Sequence, residues 1–77
     1  AMVNVTVKPE AKLRFSGDGE VQKAVKMAQD ELGDNGRIVV RPSGTEPLLR
    51  VMTEGKDKDK IKGIADSVAD VIKKRLT

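Results

Sequence analysis

The chain contains no cysteine, histidine, tryptophan or tyrosine among its 77 residues, and only one phenylalanine. Each absence closes a route. Without cysteine there is neither a disulfide framework nor a thiolate metal site, and no redox compartment can be read. Without histidine there is no imidazole base and no imidazole-ligated metal. Without an aromatic platform, stacking of single-stranded nucleic acid has nothing to rest on. Charge of one sign is also scarce. Fifteen basic residues face 12 acidic ones for a net +3, and without a long basic run this argues against a nucleic-acid partner. No apolar run approaches the roughly 20 residues of a membrane span, and the N-terminus lacks the charged-then-apolar plan of a secretory signal. These readings predict a soluble cytoplasmic protein with neither a membrane nor a nucleic-acid partner.

What remains is one small domain, able to bury only about 60 % of its unfolded surface. Ala1 and Met2 read as a remnant ahead of a natural segment, which fits a domain excised from a longer polypeptide. Val3-Asn4-Val5-Thr6-Val7 alternates in strand fashion, with the three valines predicted to face the core. Residues 10–19 read as a connection in which Leu13 and Phe15 plug one edge of the core. From Glu20 to Leu32, Val21, Ala24, Val25, Ala28 and Leu32 recur at helical spacing. Gln22, Lys23, Lys26, Gln29 and Asp30 fall on the opposite side. Ser16 or Asp18 suits the N-cap of this helix, and Gly33 suits the position just past its end.

Two β-branched or apolar runs follow, Arg37 to Val40 and Leu48 to Met52, and predict a hairpin with Ile38, Val40, Leu49 and Val51 facing inward. A polar turn containing Asp57 and Asp59 then precedes a second amphipathic helix, from about Lys60 to Arg75. Its stripe is Ile61, Ile64, Ala65, Val68, Val71 and Ile72. Either aspartate can cap it, while Lys73, Lys74 and Arg75 suit its negative pole. The order β-α-β-β-α implies an α+β two-layer domain, a sheet covered on one face by two helices.

The chemistry is concentrated at the hairpin tip, Arg41-Pro42-Ser43-Gly44-Thr45-Glu46-Pro47. Pro42 and Pro47 fix their own φ and bias their predecessors toward extended geometry, so the loop is stiffened at both ends. Gly44 can take φ > 0 and turn successive backbone N–H groups into an anion nest. Ser43 and Thr45 add hydroxyl donors, and Arg41 and Arg50 add guanidinium forks. The ligand this pattern suits is a phosphate monoester. Glu46 would repel a dianion unless turned away or held by an arginine or a sugar hydroxyl, so it is assigned an orienting role. Neither Ser43 nor Thr45 has a base beside it, which leaves a binding loop without a nucleophile.

The string from Gly36 to Met52, GRIVVRPSGTEPLLRVM, resembles the phosphate-binding loop of the α-D-phosphohexomutases, most of all the bacterial branch that interconverts glucosamine 6-phosphate and glucosamine 1-phosphate. The flanking helices are similar too, so the resemblance covers essentially the whole chain. It implies a mainly antiparallel sheet of the TATA-binding-protein-like class, with a fourth short strand that periodicity does not show. It further implies that residues 1–77 are the last of four domains of a phosphoenzyme serving cell-envelope amino-sugar synthesis. Arg41, Ser43, Gly44 and Thr45 fall on the family's phosphate contacts, with Arg50 as a further candidate. The family's catalytic serine segment and Mg²⁺ loop are not found. Gly17-Asp18-Gly19-Glu20 has too few carboxylates for the latter and reads as a turn. No cofactor is therefore expected in this segment, with Mg²⁺ belonging to the parent enzyme. The expected partners are a phosphosugar and the parent's other domains. The phosphomannomutase and phosphoglucomutase branch is the alternative within the family. Outside it stands an interaction module docking a phosphorylated or acidic partner.

Overall fold

A computed structural model describes residues 1–76, with the side chain of Leu13 outside the description. The elements in chain order are β1 (Met2–Thr6), α1 (Pro9–Arg14), α2 (Gly19–Leu32), β2 (Gly36–Pro42), β3 (Leu48–Gly55) and α3 (Lys58–Leu76). Single 3₁₀ turns at Phe15–Gly17 and Gly33–Asn35 flank α2. The sheet has the order β1-β3-β2 and is antiparallel throughout. Three strands are present among the described residues, without the fourth that the resemblance suggests.

Strand alternation decides the layers. Val5, Leu49, Val51 and Ile38 point to the helices and are buried, together with Val21, Ala28 and Leu32 of α2 and Ile61, Ile64, Ala65, Val68 and Ile72 of α3. The helical spacing therefore identifies the inner stripes, although Ala24, Val25 and Val71 are only half-buried. Ala69 and Leu76 extend the stripe of α3 beyond the positions read from the sequence. Val7 is buried just past the end of β1, and Val3 is half-buried against the core.

The strand starts earlier than its β-branched run suggests. Ala1 and Met2, read as an appendage, belong to the sheet: the Ala1 nitrogen donates to the Thr53 carbonyl at 2.8 Å and the Thr53 N–H to the Ala1 carbonyl at 2.9 Å. Ladder hydrogen bonds depend on backbone register, which side-chain periodicity does not weigh. Residues 10–19 are likewise more regular than a connection. Pro9 opens α1 at a position where a backbone N–H would go unused, so its lack of one costs nothing. Phe15 packs half-buried at the edge of the core, while Leu13, its proposed companion, has its side chain outside the description.

Gln29 lies on the polar side of the helical wheel yet is half-buried. Its amide nitrogen donates to the Gly33 and Gly36 carbonyls at 3.3 and 3.1 Å, and its oxygen accepts from the Ile38 N–H at 3.0 Å. It thus satisfies the exposed edge of β2, where unpaired backbone groups would otherwise invite another strand. Gly36 beside it lies where a Cβ would collide with the Glu54 backbone carbonyl, so glycine is needed there for close approach. The left-handed position is Gly33, with φ 64°, at the end of α2 as expected.

The starts of α2 and α3 are capped by side chains. Asp57 Oδ1 accepts from the Lys60 N–H at 3.1 Å at the head of α3. Asp18 caps α2 by accepting from the Glu20 and Val21 N–H groups at 3.0 and 3.1 Å. Its Oδ1 also accepts from Arg75 Nε at 3.3 Å, which ties the end of α3 to the start of α2. Of the two candidate caps, Ser16 and Asp18, it is therefore Asp18, within the glycine-flanked turn, that caps the helix. The Val21 N–H holds the Asp18 carboxyl below its ordinary value of 3.8, against a partial desolvation cost, and Arg75 and the Glu20 N–H reinforce the effect. Because the native pKa is depressed, the stabilisation is complete above the unfolded value and is lost as pH falls through the native one. Acid titration of helicity should show this loss below about pH 4. Asp18→Asn keeps the cap and removes the charge, so it should flatten that step.

Candidate functional site

The helices cover one face of the sheet, and the other face carries Arg37, Val39 and Arg41 of β2, Arg50 and Met52 of β3, and Met2 and Asn4 of β1. Register now does something sequence spacing does not disclose. Arg41 and Arg50 are direct cross-strand partners. Their Cβ atoms should stand about 5 Å apart, pointing the same way. Like charges directly opposite one another destabilise a sheet. Neither arginine forms an ion pair among the described residues; the pairs seen are Arg37–Glu54 and Arg75–Asp18. Arg50 is half-buried, and its Nε is shielded from water without a hydrogen-bond partner. A buried donor left unsatisfied is costly and calls for an acceptor. Among the described residues, the pair therefore leaves positive charge without a protein counter-ion on this face.

The loop closes the space above the pair. Arg41, Pro42, Ser43, Gly44, Thr45 and Arg50 line a concavity of about 360 Å³, within the usual range for small-molecule sites. The arrangement brings Arg41, Ser43, Gly44, Thr45 and Arg50 together around one concavity. A wider groove of about 600 Å³ lies between α2 and α3, lined by residues such as Met27, Ala28, Ile64 and Val68. It offers no arginine and is mainly apolar.

Within the loop, two expectations change. Gly44 does not have positive φ, since Gly33 is the one positive-φ residue among those described. The turn is held by Ser43 instead. Its Oγ accepts from the Thr45 and Glu46 N–H groups at 3.5 and 3.3 Å, and its own N–H donates to the Leu48 carbonyl at 3.0 Å. Ser43 is consequently buried rather than displayed. The side-chain hydroxyl supplies the acceptor that closes the turn, so glycine is not needed for left-handed geometry. The two Oγ bonds are long enough to yield to a stronger acceptor. The Thr45 side chain is exposed.

Glu46 contributes through its main chain. Its carboxylate forms no ion pair with Arg41 or Arg50 among the described residues, whereas its carbonyl accepts from the Leu48 N–H and from Lys12 Nζ, each at 2.8 Å. Lys12 is absent from the sequence reading of the site. It lies 34 residues from Glu46, in a stretch whose helical form was not evident, and nothing local marks it.

The fold and this loop define a small α+β domain with an arginine-flanked hairpin loop. The family model for the C-terminal domain of phosphoglucomutase and phosphomannomutase matches residues 2–71, and the chain belongs to that family. It is 50 % identical over 74 residues to a phosphoglucosamine mutase of Kineococcus radiotolerans, covering 96 % of this chain and 16 % of that protein. It is 43 % identical over 75 residues to the phosphoglucosamine mutase of Thermoanaerobacter sp. strain X514, covering 97 % and 17 %. The chain therefore spans about a sixth of the length of these curated relatives. The fold also matches a crystal structure of Aspergillus fumigatus N-acetylphosphoglucosamine mutase in complex with GlcNAc-6P and magnesium. That match has a TM-score of 0.81 and 23 % identity, and it covers 100 % of this chain and 16 % of that one.

Proposed function

We propose that this chain is the C-terminal, phosphate-gripping domain of a four-domain phosphoglucosamine mutase that interconverts glucosamine 6-phosphate and glucosamine 1-phosphate. The observation that carries the reading is the cross-strand Arg41–Arg50 pair, unneutralised and flanked by the Ser43-Gly44-Thr45 turn. The domain would hold the phosphate that is not being transferred, so that binding energy remote from the reacting bond positions the other end of the sugar. It would make no bond itself, because neither hydroxyl of the loop has a base beside it. Magnesium, present in the Aspergillus relative's complex, does not fit this segment: no cluster of three or more potential metal-ligating side chains occurs among the described residues. It would be held by other domains of the parent, which would close over the open sheet face.

The test is a titration of the ¹⁵N-labelled chain with inorganic phosphate and glucosamine 6-phosphate, following the amides of residues 41–50. Shifts centred on Ser43, Gly44 and Thr45 are expected, with a dissociation constant on the order of millimolar because so small a polar contact set leaves little surplus over association costs. Isomerisation of the sugar phosphate by this chain alone would overturn the assignment of a purely binding role. Gly44→Ala sharpens the test. A Cβ at Gly44 meets nothing within 4 Å and its φ is not positive, so alanine should leave stability unchanged or raise it by about 0.4–1 kcal/mol through the unfolded state. If a phosphate approaches this backbone closely, the same methyl should weaken binding by about tenfold. Equal loss of folding and binding would count against a ligand at Gly44.

A further inference from the structure

The outgoing limb of the loop is sewn to the corner between β1 and α1. The Pro47 carbonyl accepts from the Val7 N–H at 2.9 Å. The Glu46 carbonyl accepts from the Leu48 N–H and from the ammonium of Lys12, both at 2.8 Å. The chemistry of this peptide link makes the last contact informative. Glu46 precedes proline, so the Glu46–Pro47 link carries a carbonyl and no N–H. Left free, it could offer an incoming anion only repulsion. A carbonyl has two acceptor lone pairs, and Leu48 and Lys12 supply two donors.

We infer that Lys12 is a positioning residue of the phosphate loop, holding the Glu46 carbonyl away from the ligand and adding a cation to the loop's flank. The inference rests on the phosphate-binding reading above and adds a residue that sequence spacing does not connect with it. The bond is charge-assisted and spans 34 residues of chain, so it fixes one end of the loop against a different element. The other end is fixed by the Ser43 N–H bond to Leu48. With both limbs held, the loop amides need little rearrangement to meet an anion, and affinity gains from that preorganisation.

Inorganic phosphate is the probe, titrated against the wild-type chain, Lys12→Met, Lys12→Arg and Arg41→Ala, with thermal melts in parallel. Lys12→Met should weaken phosphate binding about three- to tenfold, the effect of losing one charge-assisted hydrogen bond at a partly exposed site. Its melting temperature should stay near that of the wild type, a split that a merely structural lysine would not produce. Lys12→Arg should remain within about twofold of wild type, because the cation and its reach persist. In the unliganded Lys12→Met chain, the amide resonances of Pro47's neighbours Glu46 and Leu48 should move. Unchanged affinity in Lys12→Met, with binding lost in Arg41→Ala, would overturn the role of Lys12 alone. No phosphate binding by the wild-type chain would overturn the phosphate site itself, and this inference with it.

Discussion

Arg50→Met should abolish measurable phosphate binding and leave the fold as stable as before or more so. Methionine keeps the apolar stem that a half-buried arginine lays against its neighbours, while removing the charge and the donors. Relief of the repulsion opposite Arg41 is worth about 0.2–1 kcal/mol, and the buried Nε without a partner disappears with the side chain. Binding moves the other way. Hydrogen bonds to a charged group contribute about 1.5–3 kcal/mol, which corresponds to roughly a 10- to 150-fold loss of affinity. From a millimolar starting point that ends observable titration. The two effects should appear together in thermal melts run with and without phosphate. At ten times its dissociation constant, phosphate should stabilise the wild type by about 1.4 kcal/mol through linkage and the variant by nothing measurable. An arginine present only to brace the hairpin predicts the reverse: lower stability on substitution and no phosphate dependence in either protein.

The second large effect concerns the neighbouring residue. Leu49 is completely buried between the sheet and the helices, as Arg50 is turned away from them. Leu49→Ala should cost about 2–5 kcal/mol in lost transfer energy and residual cavity. A domain of this size holds only roughly 4–12 kcal/mol in total, so the variant should be partly unfolded at 37 °C and its denaturant midpoint sharply lower. Met27→Ala is the control. Met27 is 61 % exposed beside the groove between α2 and α3, and its loss should move stability by no more than about 0.5 kcal/mol. Comparable losses from both would mean that the layers are wrongly assigned.

These adjacent residues mark how far reading along the chain can go. The alternation at Leu49-Arg50-Val51 shows that one side chain in three points outward. Helical spacing likewise identifies both inner stripes, because burial on one face imposes a period on the sequence. Gly33, Asp18 and Asp57 were legible for a similar reason: a helix end needs a local partner, and local partners sit within a few residues. Gln29 was not legible, since its amide serves a strand beyond the end of its helix. The places of Ala1, bonded to Thr53, and of Met2, paired with Met52, are not legible because ladder pairing follows backbone register. The form of residues 10–19 was missed because its weak periodicity gives a short helix and a 3₁₀ turn no pattern to repeat.

For the candidate site, the order of residues is enough to list the parts: two arginines, two hydroxyls and a glycine, stiffened by two prolines around one hairpin tip. It also shows that this chain brings no histidine or cysteine of its own to the site. How these parts are used follows from strand pairing and packing. Pairing β2 with β3 in one register makes Arg41 and Arg50 face each other, and a shift by one residue would have sent one of them toward the core. Closing the turn through Ser43 relieved Gly44 of left-handed geometry. Packing the β1–α1 corner against the loop brought Lys12 to Glu46. The reason is common to all three. Composition and spacing record what each residue can do within a few neighbours along the chain, whereas the electrostatics of a site depend on groups brought together across it, whose separation follows from strand register and packing.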